Sequence, residues 1–375
     1  MKTTVQQLIR EYYSDSSASL PLSYDQRKAL SSLSECRTAK LGGHAQYCQR
    51  GHLNGVWYNS CKHRACPQCR GIAREQWLHR MSEQLLSCSH HHVIFTLPDE
   101  LNELWAYNRD VMSGILFDAV RETLKVFSSD PKYLNATPGI LAVLHTWGRN
   151  LSLHPHLHVL LSHGGINSSG QWVEPKKAVL FPQKPVMQVY RGKLLANIRR
   201  AIETEMMVIP RDREKHHLMG LCNRLGRKDW VVYFAKRYDH ARGVARYLAR
   251  YIKGGPIRNQ QLSQSEKDGL IRLRYYSHAQ QRRAVMTLPA SQFLVRFAQH
   301  VPVAGRPNLR YFGLYANSAR KKLNQARRQL GQSALIELPT LKWQEYLGSK
   351  GWEPTCATCS MPLMHGGKIQ RKDAA

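Results

Sequence analysis

The chain has 375 residues, 42% of them hydrophobic, and a formal net charge of +29 from 55 Lys and Arg against 26 Asp and Glu. This composition excludes a disordered chain, and no apolar run reaches the ~20 residues of a membrane-spanning helix. A positive charge of this size attracts polyanions. Nucleic acid is therefore the expected partner, and a membrane surface is the alternative. The N-terminal sequence MKTTVQQLIREYY lacks the hydrophobic segment of a signal peptide, which predicts a cytoplasmic, nucleoid-associated protein.

The N-terminal part of the chain is expected to hold an accessory arm and a metal-binding module. Residues 1–35 combine a short helix, within TTVQQLIREYY, with the serine-rich segment SDSSASLPLS. Residues 36–72 contain five of the nine cysteines. In a reducing compartment such crowding indicates metal ligands and not disulfides, so this module is predicted to bind structural zinc.

The spacing of these residues suggests how the zinc ligands are paired. A tetrahedral zinc ion needs four nitrogen or sulfur ligands, and a Cys-x-x-Cys turn supplies two of them from one tight loop. The expected primary site consists of Cys48, His52, Cys66 and Cys69. The possible second site consists of Cys36, His44, Cys61 and His63. Near the C-terminus, Cys356 and Cys359 have only His365 as a third ligand, which favours a half-site or inert thiols.

Residues 73–300 alternate between helical and extended patterns. The amphipathic segment LWAYNRDVMSGILFDAVRETLKVF predicts a helix, and VIFTL, ILAVLHTWG and LHPHLHVLLSHGG predict strands. The predicted fold is therefore α+β, with a central antiparallel sheet flanked by helices. Residues 301–375 are expected to form a basic C-terminal region, rich in Lys and Arg in NSARKKLNQARRQLG.

The strand LHPHLHVLL places three histidines, His154, His156 and His158, on one of its faces, because side chains alternate along a strand. Burying three imidazoles without partners is costly, so the pattern indicates metal or phosphate chemistry. A metallo-hydrolase His-x-His-x-Asp-His motif does not fit, because Val159 and Leu160 follow. A histidine-triad nucleotide hydrolase or transferase matches the pattern but explains neither the zinc module nor the charge.

The segment VARYLARYIKGG predicts a helix that ends at Gly254 and Gly255 and sets Tyr247 and Tyr251 one turn apart. Two tyrosines at this spacing can simply border an apolar stripe. They can also be nucleophiles if a metal ion polarises the scissile phosphate and cations favour the phenolate. The neighbouring cations that would hold DNA are Arg246, Arg250 and Lys253.

Together these segments resemble the HUH-type two-tyrosine transposases of rolling-circle insertion sequences. The matching features are CRTAKLGGH, YNSCKHRACPQC, HHVIFTLP, LHTWGRNLSLHPHLHVLLSHGG, ARYLARYIKGGPIRN and FLVRFAQHVPVAGRPNLRYFGLY, in the family's order from about residue 36 to 316. The resemblance implies a zinc-binding N-terminal module and an HUH catalytic domain over residues 73–300. It also implies cleavage and rejoining of single-stranded DNA, with hairpin-containing element ends as substrate, through a 5′-phosphotyrosine on Tyr247 or Tyr251.

In that family the histidines of the HUH strand, here His156 and His158, hold a catalytic Mg²⁺ or Mn²⁺. The third ligand is either His154, which lies on the same strand face, or a Gln, Asn or Glu elsewhere in the chain. The chain departs from the family at the zinc module, where Cys48 is followed by His52 and not by a second Cys-x-x-Cys. A replication initiator or relaxase with the same chemistry remains an alternative. A non-catalytic zinc-finger DNA-binding protein is another, because it would share the charge and the cysteines.

Overall fold

The computed structural model describes residues 3–13, 20–176, 179–235, 237–239, 255–265, 268–277, 280–336, 343–348, 351 and 353–371. Its α-helices are α1 (Val5–Tyr12), α2 (Tyr24–Ser34), α3 (Gly71–Gln84), α4 (Asn102–Tyr107), α5 (Arg109–Ser129), α6 (Gln183–Glu203), α7 (Lys215–Leu225), α8 (Ala290–Gln299), α9 (Arg320–Gln329) and α10 (Trp343–Gly348). Its strands are β1 (Gly43–Cys48), β2 (Leu53–Tyr58), β3 (His90–Thr96), β4 (Thr137–Trp147), β5 (Leu153–Ile166), β6 (Trp172–Val173), β7 (Val232–Phe234), β8 (Leu262–Gln264), β9 (Ile271–Ser277), β10 (Arg282–Leu288), β11 (Leu309–Gly313) and β12 (Leu363–Ile369). None of the helices in these ranges is both long and apolar enough to cross a membrane.

The largest sheet is antiparallel and has the strand order β11-β4-β5-β3-β7, with β6 pairing to the end of β5. Its centre is β5, the strand that carries the histidine pattern, and β4 and β3 lie on either side. Helices flank the sheet, so the predicted α+β fold with a central antiparallel sheet is confirmed.

One face of this sheet packs against α5 and α6. Alternate residues of β5, including Leu157 and Val159, are fully buried among side chains such as Leu116 of α5 and Leu194 of α6. Alternation along the strand therefore directs apolar residues to this core and leaves the intervening positions, including the histidines, on the opposite face.

The opposite face is covered in part by α3 and α9. Here the buried phenol of Tyr315 is central: its Oη lies 2.6 Å from Nε2 of His90 and accepts a hydrogen bond from the Leu86 amide at 3.2 Å. The ring of Tyr315 also lies against Gly139 of β4. These contacts attach the segment that follows β11 to the sheet.

A second core joins the N-terminal helices to α8 and to a small antiparallel sheet of order β10-β9-β8. Helix α2 begins with a capping box, in which Ser23 and Gln26 satisfy each other's backbone amides. The Gln26 side chain also donates to the carbonyl oxygen of Ala298 at 3.0 Å, in α8. The N-terminal arm thus packs against residues close to position 300.

A third sheet, of order β12-β1-β2, combines the two ends of the chain. The residues after 300 are distributed among these units: β11 lies at the edge of the central sheet, whereas β12 pairs with β1. Gly366 of β12 lies directly against the ring of Tyr47, where an added Cβ would come within 2.1 Å of the ring.

Replacing Gly139 with Ala is expected to destabilise the protein, because the new Cβ would lie 2.7 Å from the Tyr315 ring. Overpacking of this kind costs about 1–3 kcal/mol of the free energy of unfolding, measurable by chemical denaturation. The matched control is Gly114→Ala in α5, where nothing lies within 4 Å of the new Cβ. That variant should gain ~0.5–1 kcal/mol from helix propensity. Equal stability of Gly139→Ala and wild type would contradict this packing.

Candidate functional site

Three buried histidines converge on the face of the central sheet opposite the main core. His156 and His158 lie on β5, and His145 on β4 is directly opposite His156 in the antiparallel register. One ring nitrogen from each lies within 4.8 Å of the other two. We refer to His145, His156 and His158 as the histidine centre.

Hydrogen bonding fixes how the ring of His156 is presented. Its Nδ1 lies 2.6 Å from the carbonyl oxygen of His154, and since a carbonyl can only accept, Nδ1 carries the proton. The lone pair of Nε2 is then available, and Nε2 lies 3.2 Å from Nε2 of His158. Two nitrogens that share an ion at ~2.1 Å each are separated by about 3.0–3.4 Å, so this spacing suits a shared cation.

The chemistry of the donor set also fits a cation. Burial lowers the pKa of His156 to about 4 and holds the pKa values of His145 and His158 well below their usual value, so all three rings are neutral near pH 7. Neutral imidazole is the form that binds metals. Nitrogen donors favour a transition-metal ion such as Mn²⁺ over Mg²⁺, which prefers oxygen.

A fourth histidine, His92 on β3, orients one of the ligands. Its Nε2 lies 2.8 Å from Nδ1 of His158, so His158 can donate to His92 while keeping Nε2 directed at the centre. Burial lowers the pKa of His92 to about 4, which keeps it a neutral acceptor. Such a partner fixes both the ring position and the tautomer of a ligand.

The structure places His154, the tentative third ligand, outside the centre. It lies on the same strand, but its ring is 38% exposed and its Nδ1 lies 3.5 Å from a carboxylate oxygen of Asp99. The ring of His154 still lies beside that of His156, with ring centres 5.1 Å apart. The third ring of the cluster is that of His145.

The predicted nucleophiles and their neighbouring cations lie outside the described residues. This applies to Tyr247, Tyr251, Arg246, Arg250 and Lys253.

The first cysteine cluster consists of four thiols that come from α2's C-terminal turn and from the loop before α3. Two of its sulfur pairs are 3.7 Å apart, Cys36 with Cys66 and Cys61 with Cys69. The edges of a zinc–sulfur tetrahedron with 2.3 Å bonds are about 3.8 Å long, so the spacing fits zinc. Hydrogen bonding among the thiols lowers the pKa of Cys36 to about 7 and raises the pKa of Cys61.

The second cluster lies between the two ends of the chain. It is formed by Cys48 at the end of β1, His52 before β2, and the pair Cys356 and Cys359 before β12. The four ligand atoms lie within 4.8 Å of one another.

This grouping corrects the pairing expected from sequence spacing. Cys66 and Cys69 do not join Cys48 and His52, because the loop that carries them packs against the end of α2, next to Cys36. His63 is not in either cluster; its Nδ1 accepts a hydrogen bond from the Ala65 amide at 3.2 Å. His44 lies on β1, opposite Trp57, and is also in neither cluster.

Sequence reasoning missed His145 and His92 as members of the site. His145 follows the apolar residues ILAVL. A histidine near the end of the predicted strand that precedes the histidine strand in sequence could have indicated a further member of the site. His92 is hidden in the run HHH, where nothing in the pattern says which ring faces which side. The expectation that Cys356 and Cys359 form a half-site or are inert thiols is wrong, because they cluster with Cys48 and His52, which are more than 300 residues away in sequence.

Two family models match the chain. The model described as "Transposase zinc-binding domain" matches residues 7–97, and the model described as "Putative transposase" matches residues 139–322. The first match contains the four thiols of the first cluster together with Cys48 and His52. The second contains the histidine centre.

Two relatives are similar over most of their length. The "Putative transposase y4qJ" of Sinorhizobium fredii is 34% identical over 333 residues, covering 87% of this chain and 83% of the relative. The "Transposase for insertion sequence element IS801" of Pseudomonas savastanoi pv. phaseolicola is 30% identical over 288 residues, covering 75% of this chain and 68% of the relative.

Proposed function

We propose that this chain, which belongs to the HUH-type two-tyrosine transposases of rolling-circle insertion sequences, cleaves and rejoins single-stranded DNA at hairpin-containing ends of its element. The observation that carries the proposal is the convergence of three neutral imidazoles on one face of the central sheet. The three ring nitrogens, held by β4 and β5, would be the protein ligands of a divalent cation that also binds a DNA phosphate. A divalent cation held there, Mn²⁺ or Mg²⁺, would polarise a phosphodiester and offset its charge.

The proposed step is a transesterification. The phenol oxygen of Tyr247 or Tyr251 attacks the phosphorus, the bond from phosphorus to the 3′ oxygen breaks, and a 5′-phosphotyrosine forms. The phenol loses its proton and the departing 3′ oxygen gains one, so the step needs neither a redox partner nor a nucleotide cofactor. Attack of a 3′-hydroxyl on the phosphotyrosine reverses the chemistry and rejoins a strand.

Two tyrosines allow one protein to manage two cuts. While one phenol holds the first strand covalently, the other is available for the second cleavage. Arg246, Arg250 and Lys253 lie in the same stretch of sequence and would favour the phenolate and attract the strand. Lys and Arg residues away from the reacting tyrosines would supply most of the affinity for DNA, because phosphate contacts dominate binding to DNA.

The exposed face of the small sheet is suited to receive single-stranded DNA. The side chains of Arg272, Arg274 and Tyr276 alternate outward along β9, while Ile271 and Leu273 are fully buried. Basic side chains interleaved with an aromatic ring are typical of surfaces on which bases stack and phosphates pair.

This face is linked to the histidine centre through the loop between β4 and β5. The guanidinium of Arg149 in that loop lies 5.8 Å from the centre of the Tyr276 ring. The same loop joins the strand of His145 to the strand of His156. Single-stranded DNA bound along β9 would therefore run toward the loop between β4 and β5, beside the histidine centre.

Single replacements of His145, His156 or His158 with Ala are expected to reduce cleavage of single-stranded DNA by more than ~100-fold, because loss of the cation removes several kcal/mol of transition-state stabilisation. Mn²⁺ binding measured by calorimetry should weaken in parallel, while DNA binding is retained. His154→Ala is the matched control and should keep both. Cleavage near the wild-type rate in His156→Ala and His158→Ala would make the histidine centre structural.

Replacing both Tyr247 and Tyr251 with Phe should abolish the covalent protein–DNA adduct seen on denaturing gels, since Phe keeps the ring and loses only the nucleophilic oxygen. Each single Phe variant should retain some cleavage but fail to complete strand transfer. The control is Tyr107→Phe, a half-exposed phenol on α4, which should form the adduct normally. Mapping of the adduct to another residue would refute the assignment.

Tyr276→Ala should weaken binding of an unstructured oligonucleotide by about 5–100-fold, because stacking of one base on an aromatic ring contributes ~1–3 kcal/mol. Fluorescence anisotropy at fixed salt measures the change. Tyr24→Ala, at an exposed position on α2, should bind like wild type. If both variants bind equally, the β9 face does not carry the strand.

A further inference from the structure

We propose that Cys48, His52, Cys356 and Cys359 bind a second zinc ion, which joins the C-terminal segment of the chain to the N-terminal module. This site is separate from the four-thiol cluster of Cys36, Cys61, Cys66 and Cys69. Half of its ligands, Cys356 and Cys359, lie beyond both family matches, which end at residues 97 and 322.

The distances between ligand atoms fit tetrahedral zinc. The sulfurs of Cys48 and Cys359 are 3.6 Å apart, and Nδ1 of His52 lies 3.5 Å from the Cys48 sulfur and 3.8 Å from the Cys356 sulfur. Bond lengths of ~2.3 Å to sulfur and ~2.0 Å to nitrogen predict edges of about 3.8 Å between sulfurs and about 3.5 Å between sulfur and nitrogen. The measured values match these edges without rearrangement of the backbone.

Each half of the site is a tight turn that holds its two ligands. In the first turn, the Gly51 amide donates to the Cys48 carbonyl at 2.9 Å, and the Cys48 amide donates to the His52 carbonyl at 3.2 Å. In the second turn, the Ser360 amide donates to the Cys356 carbonyl at 2.8 Å, and the Thr358 amide lies 3.4 Å from the Cys356 sulfur. An amide directed at a sulfur stabilises a thiolate, the form that zinc binds.

Among the described residues, the hydrophobic cluster around the site is small. The local cluster contains Cys48, Cys356 and Leu363 as its buried members, with Cys359 and Met361 against them. Units with so little apolar area depend on a metal or a disulfide for stability. Four ligands at zinc spacing, in a protein whose other cysteine cluster also has zinc spacing, favour the metal.

The ion would fix the register of β12 on β1. Cys48 pairs with Leu363 in the ladder, so the ligands lie at the end of the pairing between the two strands. β1 has β2 on its other side, and β12 therefore covers what would otherwise be an open edge. Cys48 and Cys359 are 311 residues apart in sequence, so the ion closes a loop that contains the whole central sheet.

Zinc content and protease sensitivity of the full chain test the site. The wild type should contain two zinc ions per chain by elemental analysis. The double variant Cys356→Ser/Cys359→Ser should contain one, and limited proteolysis should release its C-terminal segment at protease concentrations that leave the wild type intact. Cys88→Ser and Cys222→Ser, at buried thiols outside both clusters, are the matched controls and should contain two.

His52→Cys distinguishes a ligand from a residue that is merely packed at this position. A cysteine can replace histidine as a zinc ligand, so this variant should keep two ions and the wild-type protease resistance, whereas His52→Ala should lose one ion. Two ions in Cys356→Ser/Cys359→Ser, or one ion in the wild type, would overturn the proposal. Loss of both ions from the double variant would also overturn it, because the two sites would then not be independent.

Discussion

The antiparallel register of β4 against β5 is the constraint on which the candidate site depends. It sets His145 opposite His156, and the two-residue period of β5 puts His158 on the same face. A slip of β5 by one residue would move His156 and His158 into the apolar core with α5 and α6 and bring Leu157 and Val159 to the opposite face. Burial of those leucine and valine side chains therefore specifies the position of the polar ones.

The histidine centre is costly for the isolated fold. Four imidazoles, including His92, are buried close together, and burial keeps each of them neutral. Their nitrogens are arranged with His156 and His158 3.2 Å apart, a distance that a shared cation would make favourable. The carbonyl of His154 limits the ring of His156 to one tautomer, and the ring of His92 does the same for His158. Rings fixed in this way form a site that is already arranged for a ligand. The large apolar core on the other face of the sheet offsets the free energy that burial of the imidazoles costs.

Local patterns were enough to predict the α+β class, the histidine strand and the presence of zinc ligands, because each depends on residues close in sequence. The alternation of LHPHLHVLL placed His156 and His158 together without knowledge of the neighbouring strands. It could not show that His145 lies opposite His156, since that depends on strand pairing. It also could not show that His154 lies beside Asp99 and outside the histidine centre, since Asp99 belongs to another loop. The prediction of the cysteine pairing was wrong because it also depends on contacts between segments far apart in sequence. Short spacing groups Cys48 with Cys66, whereas the fold separates them.

The family membership favours DNA transposition over replication initiation or a histidine-triad hydrolase, and the ligand types suggest how one chain keeps two kinds of metal apart. Both cysteine clusters offer mainly sulfur ligands, which favour zinc, whereas the histidine centre offers only imidazole nitrogens, which also suit other transition-metal ions. The zinc ligands lie in turns at the ends of the chain, and the imidazoles lie on central strands. Because ligand type and location differ together, loss of the proposed cation from the histidine centre is expected to leave zinc at the cysteine clusters in place.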